Sequence, residues 1–398
     1  MKTATAAEVA SEPSAPEPAR GRVRITSIDV MRGLVIILMI VDHVRERFFY
    51  HILVGDPVNL EVVGPSLFFT RLSAHLCAPV FVFLAGLGAW LYAHPRPGVV
   101  RSPSRFLWTR GLFLVLLEVV LINQSWFWGF PPKTIYLQVI WVIGLSMIAL
   151  SLAVKLPHRV LAVLGLGIVF GHNLLEPIRF APGELGYSLW TILHDRGFLL
   201  TSDALSIKIS YPALPWIGVI LCGYALGPLY GAAVDPGVRT RRLAQLGAGC
   251  LALLGILRGF NLYGETLPWT AGETPLDTLI SFLNTTKYPP SLAFLLLTLG
   301  VAFFLLAWLD TRDNAVTRKL QTFGQAPMFV YALHLYVLLV CYQIVLRTLG
   351  PNEGDLYHLD HVWQLWLVTA LLAVALYPPT RAFGRYKRTT DKAWVRYF

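Results

Sequence analysis

Long apolar segments are the feature that most constrains this chain. A helix needs roughly 20 mostly apolar residues to cross the hydrocarbon core of a bilayer. Ten segments of the sequence reach or approach that length, near residues 27–50, 66–93, 105–125, 134–154, 158–174, 208–230, 242–260, 289–309, 324–347 and 362–379. We therefore predict an all-α, polytopic membrane bundle of about ten transmembrane helices, forming a single domain over residues 25–380.

The composition excludes several other classes of protein. Of the 398 residues, 55% are hydrophobic and 14% are charged, whereas soluble domains carry about 25% charged residues. Water cannot solvate a folded surface with so few charges, which excludes soluble enzymes, disordered chains and disulfide-rich secreted domains. The four cysteines lie far apart within apolar segments, which indicates small buried side chains. The sequence thus predicts no metal site.

The distribution of charge predicts the orientation in the membrane. If the amino terminus is cytoplasmic, 23 of the 33 Lys and Arg residues fall on the cytoplasmic side, but only eight of the 23 acidic residues. This asymmetry is typical of an inner (plasma) membrane protein with both termini in the cytoplasm. The net charge of +10 forms no basic stripe for nucleic acid. We expect residues 1–24 to be a disordered cytoplasmic tail and residues 381–398 a basic one.

The first apolar segment carries charged groups at membrane depth, where they usually mark a polar cavity. Arg32 and His43 are eleven residues apart, so they lie about 16 Å apart along a helix and within about 20° of one face. Arg can hold phosphate through paired donors, and His can remove a proton near pH 7. Asp42 is expected to orient a neighbouring histidine. The alternative to a functional role is that Arg32 only anchors the helix at the cytoplasmic side and that His43 is an interior histidine whose hydrogen bonds are satisfied.

The second apolar segment adds another polar group at depth. Arg71 and His75 are four residues apart and share a helix face. Pro79 is expected to break the helix just below His75, because proline removes a backbone hydrogen bond. Elsewhere, Glu118 is expected to pair with a cation, and His334 lies midway along the ninth segment.

Several motifs together resemble a known family. They are SIDVMRGLVIILMIVDH (27–43), LCAPVFVFLAG (76–86), LWTRG (107–111), YPALPW (211–216), KYPPS (287–291) and FGQAPMFVYALHL (323–335). They are similar to the bacterial relatives of heparan-α-glucosaminide N-acetyltransferase. The resemblance extends over roughly residues 24–380.

The resemblance implies transfer of an acyl group, expected to be acetyl, from cytoplasmic acetyl-CoA to an amine or hydroxyl of an extracytoplasmic carbohydrate acceptor, without a metal. A histidine would act as general base or as transient acyl carrier. The residues expected to hold the CoA donor are Arg32, Arg105, Arg110 and Gln138. Those expected to contact the acceptor are Arg45, Arg71, Lys287, Tyr288 and His334.

The identity of the catalytic histidine stays open at this stage. The human-type enzyme has Asn at the position of His43, an acid at that of His75, and its catalytic histidine in the loop after the first span, where His51 is the match. His43, His75 and His51 are therefore all candidates, with Asp42 beside the first. A transporter or flippase for an anionic or lipid-linked solute is the alternative function, since broken helices and embedded charges are typical of transporters too. The acceptor, the acyl chain length and formation of a homo-oligomer also stay open.

Overall fold

The structure, a computed structural model, describes residues 25–95, 97–127 and 130–398. The predicted disordered tail over residues 1–24 lies outside the described residues. Within them the chain forms fourteen α-helices and one small sheet. The helices are α1 (Thr26–Phe48), α2 (Pro65–Ala74), α3 (Cys77–Ala93), α4 (Ser104–Leu117), α5 (Val139–Ala153), α6 (His158–Gly171), α7 (Tyr187–Leu193), α8 (Leu214–Ala225), α9 (Pro236–Gly259), α10 (Pro275–Leu283), α11 (Leu292–Leu309), α12 (Ala315–Gln325), α13 (Pro327–Leu349) and α14 (Val362–Thr389).

The chain is a helical membrane protein by the length and composition of its helices. A helix lies in each of the ten predicted segments. Six helical stretches are long and apolar enough to cross a membrane, namely Pro65–Ala93, Ser104–Trp126, His158–Leu175, Leu292–Leu309, Pro327–Leu349 and Val362–Thr389. Helices α5 and α8 are apolar but shorter. The number of about ten spans therefore stays a prediction.

Two predicted helical segments begin as strands instead. Strand β1 (Thr134–Leu137) pairs in parallel with β3 (Ser206–Ile209), which also pairs antiparallel with β2 (Gly197–Leu200). Strands β1 and β3 contain β-branched residues that favour extended backbone. After β3, Pro212 and Pro215 delay the next helix, and α8 begins at Leu214 with proline in its first turn.

The predicted break in the second segment is present. Helix α2 ends at Ala74 and α3 begins at Cys77, so His75 occupies the break. The ring of Pro79 would clash with the carbonyl of the residue four positions earlier, which is His75. The regular hydrogen bonding of the helix is therefore interrupted at this histidine.

Helix α1 approaches α12 so closely that only glycine fits at the contact. A Cβ atom at Gly324 would overlap the backbone carbonyl of Asp29, and one at Gly33 would overlap that of Leu320. Such small-residue contacts let helix backbones pack directly within membranes. They fix the beginning of α1, and with it Arg32, against α12.

The carboxyl-terminal residues are folded onto the bundle. Helix α14 continues ten residues beyond the predicted end of its segment, to Thr389. The Tyr397 hydroxyl lies 3.3 Å from the Thr109 hydroxyl of α4, and the rings of Tyr397 and Phe113 lie 5.2 Å apart. The segment predicted to be a basic cytoplasmic tail thus lies partly in a helix, and its final residues lie against α4.

We expect Gly324→Ala to destabilise the protein by roughly 1–3 kcal/mol or more, because the added methyl group forces α12 away from α1. Gly255→Ala on α9 is the matched control, since a Cβ atom there meets open space. Thermal unfolding of both variants in detergent measures the effect. Equal unfolding temperatures would contradict the close contact.

Candidate active site

A cavity of about 560 Å³ lies inside the bundle, which is within the range of small-molecule sites. Helix α1 lines it from Asp29 to His43, about 21 Å along the helix. The remaining walls come from α3, α4, α5, α12, α13 and α14, the end of α2 and the carboxyl terminus, with Tyr211 and Lys287 from loops. The cavity therefore connects the end of the bundle where α1 begins, here called the basic end, with the middle of the membrane helices.

Cations dominate the mouth of the cavity at the basic end. Arg32, Arg110, Lys387 and Arg388 all line it. The Arg32 guanidinium lies 3.3 Å from the Asp29 carboxylate and donates to the Leu84 carbonyl at 3.3 Å. Its side chain is still 25% exposed. Across the described residues, the cavity wall holds five Lys and Arg side chains against two carboxylates, so its field attracts an anion.

His43, which lines the inner part of the cavity, forms a directed hydrogen-bond relay with the buried His334. Nδ1 of His334 lies 2.8 Å from the Val330 carbonyl, which can only accept a hydrogen bond. This nitrogen therefore carries the proton, and Nε2 of the neutral His334 ring is an acceptor. Nδ1 of His43 lies 2.7 Å from that acceptor and donates to it. The neutral relay thus leaves Nε2 of His43 without a proton, as a general base requires.

Aromatic side chains surround the relay. The rings of His43 and His334 lie nearly parallel, with centroids 5.0 Å apart. Trp126 lies edge-on to His43 at 5.3 Å, and Tyr331 at 6.0 Å. Within the described part of the chain, the Tyr331 hydroxyl and the Trp126 indole nitrogen are buried without a hydrogen-bond partner. Such orphan groups are rare in folded proteins, and here both belong to rings that pack against His43.

Asp42, the neighbour of His43, belongs to a buried ion network. Its carboxylate accepts from Nε of Arg45 at 2.9 Å and from the Arg71 guanidinium. Arg71 also pairs with Asp56, which in turn lies 2.8 Å from Nε2 of His75. The network ties α1, the loop over residues 49–64 and α2 together. Asp42 therefore pairs with one arginine of its own helix and one of α2, and its predicted orientation of a histidine stays a prediction.

The carboxylate of Asp56 is 1% exposed although it lies in a loop. Burial alone would raise its pKa, but Arg71 and then His75 outweigh burial and hold the pKa of Asp56 below its ordinary value. The charged form of Asp56 therefore stabilises the fold.

Lys287 reaches the cavity from the loop that carries the KYPPS motif. Its ammonium group lies 5.1 Å from the ring centre of Tyr288 and 5.9 Å from that of Tyr211. A bridge between Lys287 and Pro290 gives this loop its non-helical backbone, as paired prolines predict. The side chain of Glu265 accepts hydrogen bonds from the backbone of Thr286 at 2.9 Å and supports the loop.

Glu118 differs from its sequence-based expectation. It lies in a π-helical turn after α4 and accepts hydrogen bonds from the backbone nitrogens of Ile140 and Trp141, at 3.1 and 3.2 Å. These two donors are at the beginning of α5, where backbone N–H groups have no partner within the helix. Glu118 thus caps α5, and the expectation of a cation partner was wrong.

Other predicted site residues lie outside the cavity wall. Arg105 is exposed at the beginning of α4, and Gln138 directly precedes α5. Tyr288 donates to the Tyr211 hydroxyl at 3.3 Å. His75 is buried in the ion network, and His51 lies at the far end of α1. Their assigned roles stay predictions.

The polar residues at the cavity that the sequence did not single out include Tyr331, Lys387 and Arg388. Hydropathy falls after residue 379, which favoured a tail there. The absence of Gly and Pro from RYKRTT (385–390) indicates that the helix continues. No local pattern marked Tyr331.

Comparison with known proteins found one family. The family model described as heparan-alpha-glucosaminide N-acetyltransferase, catalytic, matches residues 24–255. A search of curated proteins gave no significant match. The matched region contains α1 and its cavity residues, whereas His334, Lys387 and Arg388 lie beyond it.

We expect Asp56→Asn to lower stability by about 3 kcal/mol, because it leaves Arg71 buried with less opposing charge. A depressed pKa stabilises the fold above the ordinary carboxyl value of about 3.9, and this stabilisation is lost as the pH falls below it. The difference in Tm between the wild type and the variant should thus be constant from about pH 8 to 5 and shrink below about pH 4.

Glu61→Gln is the control for this experiment, since Glu61 is exposed in the same loop. Its Tm should follow that of the wild type at each pH. A difference for Asp56→Asn that persists unchanged to pH 3 would contradict the stabilising role of the Asp56 charge.

Proposed function

Because the chain belongs to the family of the heparan-α-glucosaminide N-acetyltransferase catalytic domain, whose model matches more than half of its length, we propose that it transfers an acetyl group inside the described cavity. Family membership and the apolar helices make it a membrane acetyltransferase. The finer proposal is that acetyl-CoA binds at the basic end and that His43 is the general base. In this proposal the basic end lies on the cytoplasmic side of the inner (plasma) membrane.

The charge of the cavity mouth supports an acetyl-CoA donor. CoA carries phosphate groups, and guanidinium groups hold phosphate through paired hydrogen bonds. Arg32, Arg110 and Arg388 lie where such an anion would be held. The extended arm of CoA would then follow α1 inward, toward His43.

The histidine relay supports general-base catalysis and is the observation on which the proposal rests. Nε2 of His43 would take the proton of the acceptor amine or hydroxyl while its nitrogen or oxygen attacks the thioester carbonyl. A new C–N or C–O bond forms as the C–S bond breaks. The CoA thiolate then takes this proton from His43 and leaves as the free thiol. Throughout, Nε2 of His334 accepts from Nδ1 of His43 and stabilises its charged form.

The acceptor would approach from the opposite end of the bundle. Lys287 and Asp42 line the inner part of the cavity and offer donors and acceptors for the hydroxyl groups of a carbohydrate. Both amines and hydroxyls suit the base, so the site is compatible with N- and with O-acetylation. We propose an extracytoplasmic sugar or glycan as the acceptor class.

We expect His43→Ala to reduce acetyl transfer by about 10²- to 10⁴-fold, the usual contribution of a general base. The assay uses purified protein, labelled acetyl-CoA and a panel of amino- and hydroxy-sugars, and follows release of the CoA thiol. His158→Ala is the control, since His158 is exposed on α6 and bonds only to the Ala225 carbonyl in the described structure. Transfer by His43→Ala at the wild-type rate would contradict the proposed base.

The same experiment separates the enzyme from a transporter. A transporter would give no CoA release with any acceptor of the panel, yet would accumulate an anionic solute in vesicles without acetyl-CoA. An acetyltransferase gives the opposite pattern.

We expect Arg388→Ala to raise the KM for acetyl-CoA about tenfold or more, with little change in kcat. A hydrogen bond to a charged group is worth about 1.5–3 kcal/mol, and loss of binding that is equal in the ground and transition states raises KM alone. Arg242→Ala on the exposed face of α9 is the control. A fall in kcat with an unchanged KM would contradict phosphate binding at this position.

A further inference from the structure

A second group of polar side chains lies at the end of the bundle opposite the basic end. It consists of His51, Glu353 and His358, whose ligand-type atoms all lie within 4.8 Å of one another. The cluster joins the loop after α1 to the loop before α14. Its residues take no part in the cavity described above.

Both imidazoles of the cluster have an unused nitrogen. Nδ1 of His51 and Nδ1 of His358 are buried and, within the described residues, have no hydrogen-bond partner. The two ring centres are 4.1 Å apart. Nδ1 of His358 lies 3.3 Å from a carboxylate oxygen of Glu353, without the geometry of a hydrogen bond. Buried nitrogens without partners are costly, so this arrangement calls for a shared partner.

The backbone around the cluster is held in place. The amide oxygen of Asn352 accepts from the His358 backbone nitrogen at 2.8 Å, and its amide nitrogen donates to the His358 carbonyl at 2.9 Å. A bridge between Glu353 and Leu356 closes the turn that brings Glu353 beside His358. The Leu359 nitrogen donates to the Phe48 carbonyl at 2.7 Å and joins the loop before α14 to the last residue of α1.

We propose that this cluster binds Zn²⁺ through His51, Glu353 and His358. Two imidazoles and one carboxylate are a ligand set typical of zinc. Ligand atoms about 2.05 Å from a tetrahedral ion are separated by about 3.3 Å, which matches the distance between His358 and Glu353. The ligand-type nitrogen of His51 lies within 4.8 Å of the other two ligand atoms, and His51 completes the site by moving closer to them.

The carboxylate of Asp360 lies near the second ring nitrogen of His358. Nε2 of His358 lies 3.8 Å from Asp360. A carboxylate at the second nitrogen orients a metal-bound imidazole, which here would direct Nδ1 of His358 at the ion. The side chain of Glu353 is 55% exposed, so Zn²⁺ in solution has access to the site.

The ion would join two loops that are far apart in sequence. The loop that carries His51 also carries Asp56 of the buried ion network. Zn²⁺ bound here would therefore strengthen the wall of the bundle that supports α1 and α2. This role is structural and does not depend on the proposed acetyl transfer.

The test titrates Zn²⁺ into protein purified with a histidine-free affinity tag and stripped of metal by a chelator. Isothermal titration calorimetry should show one site per chain with a Kd in the micromolar range or below. Glu353→Gln and His358→Gln should each weaken binding at least tenfold, and Asp360→Asn by a smaller factor. Asp355→Asn, an exposed carboxylate of the same loop, should bind like the wild type.

Zn²⁺ should also raise the Tm of the wild type by a few degrees and leave that of Glu353→Gln unchanged. X-ray absorption of the wild-type protein with one equivalent of Zn²⁺ should show imidazole ligands, a measurement that needs no variant to fold. Equal binding by the wild type and Glu353→Gln, or a spectrum with oxygen ligands alone, would overturn the proposal.

Discussion

The buried ion network around Arg71 is the interaction on which the rest of the structure depends. Two carboxylates, Asp42 and Asp56, share this one guanidinium within the bundle. A charge in this environment is tolerated only with its partners, so the network holds α1, its following loop and α2 in one arrangement. Because Asp42 precedes His43, the same constraint directs the His43 ring toward α13. The relay with His334 follows from how the network positions α1.

Close helix contacts provide the second constraint. Gly33 and Gly324 bring α1 against α12, and Gly86 and Gly223 do the same for α3 and α8. Direct backbone contact at these positions leaves no freedom for α1 to slide. The cavity lies beside these contacts, and Arg32 and Gly324 both line it. The rigid helix contacts thus lie next to the polar cavity and hold one of its walls in place.

The sequence predicted those features of the site that depend on the periodicity of a single helix. Arg32 and His43 line the same cavity because eleven residues return to one helix face. The break at His75 followed from Pro79 alone. Contacts between distant segments were not predictable, since His43 and His334 are 291 residues apart and their pairing depends on how α1 packs against α13. The same reason applies to Glu118, whose partners are backbone groups of the next helix.

The separation between the cations of the cavity mouth and the base has a consequence for donor choice. Arg32 and His43 are eleven residues apart on α1, or about 16 Å. Under the proposed function this distance selects donors whose negative charge and reactive carbonyl are equally far apart. A small activated acetyl compound such as acetyl phosphate carries its negative charge next to the reactive carbonyl. If the guanidinium groups held acetyl phosphate, its carbonyl would lie a helix turn or more away from the imidazole of His43. Acetyl phosphate would therefore not be a substrate, although it is reactive.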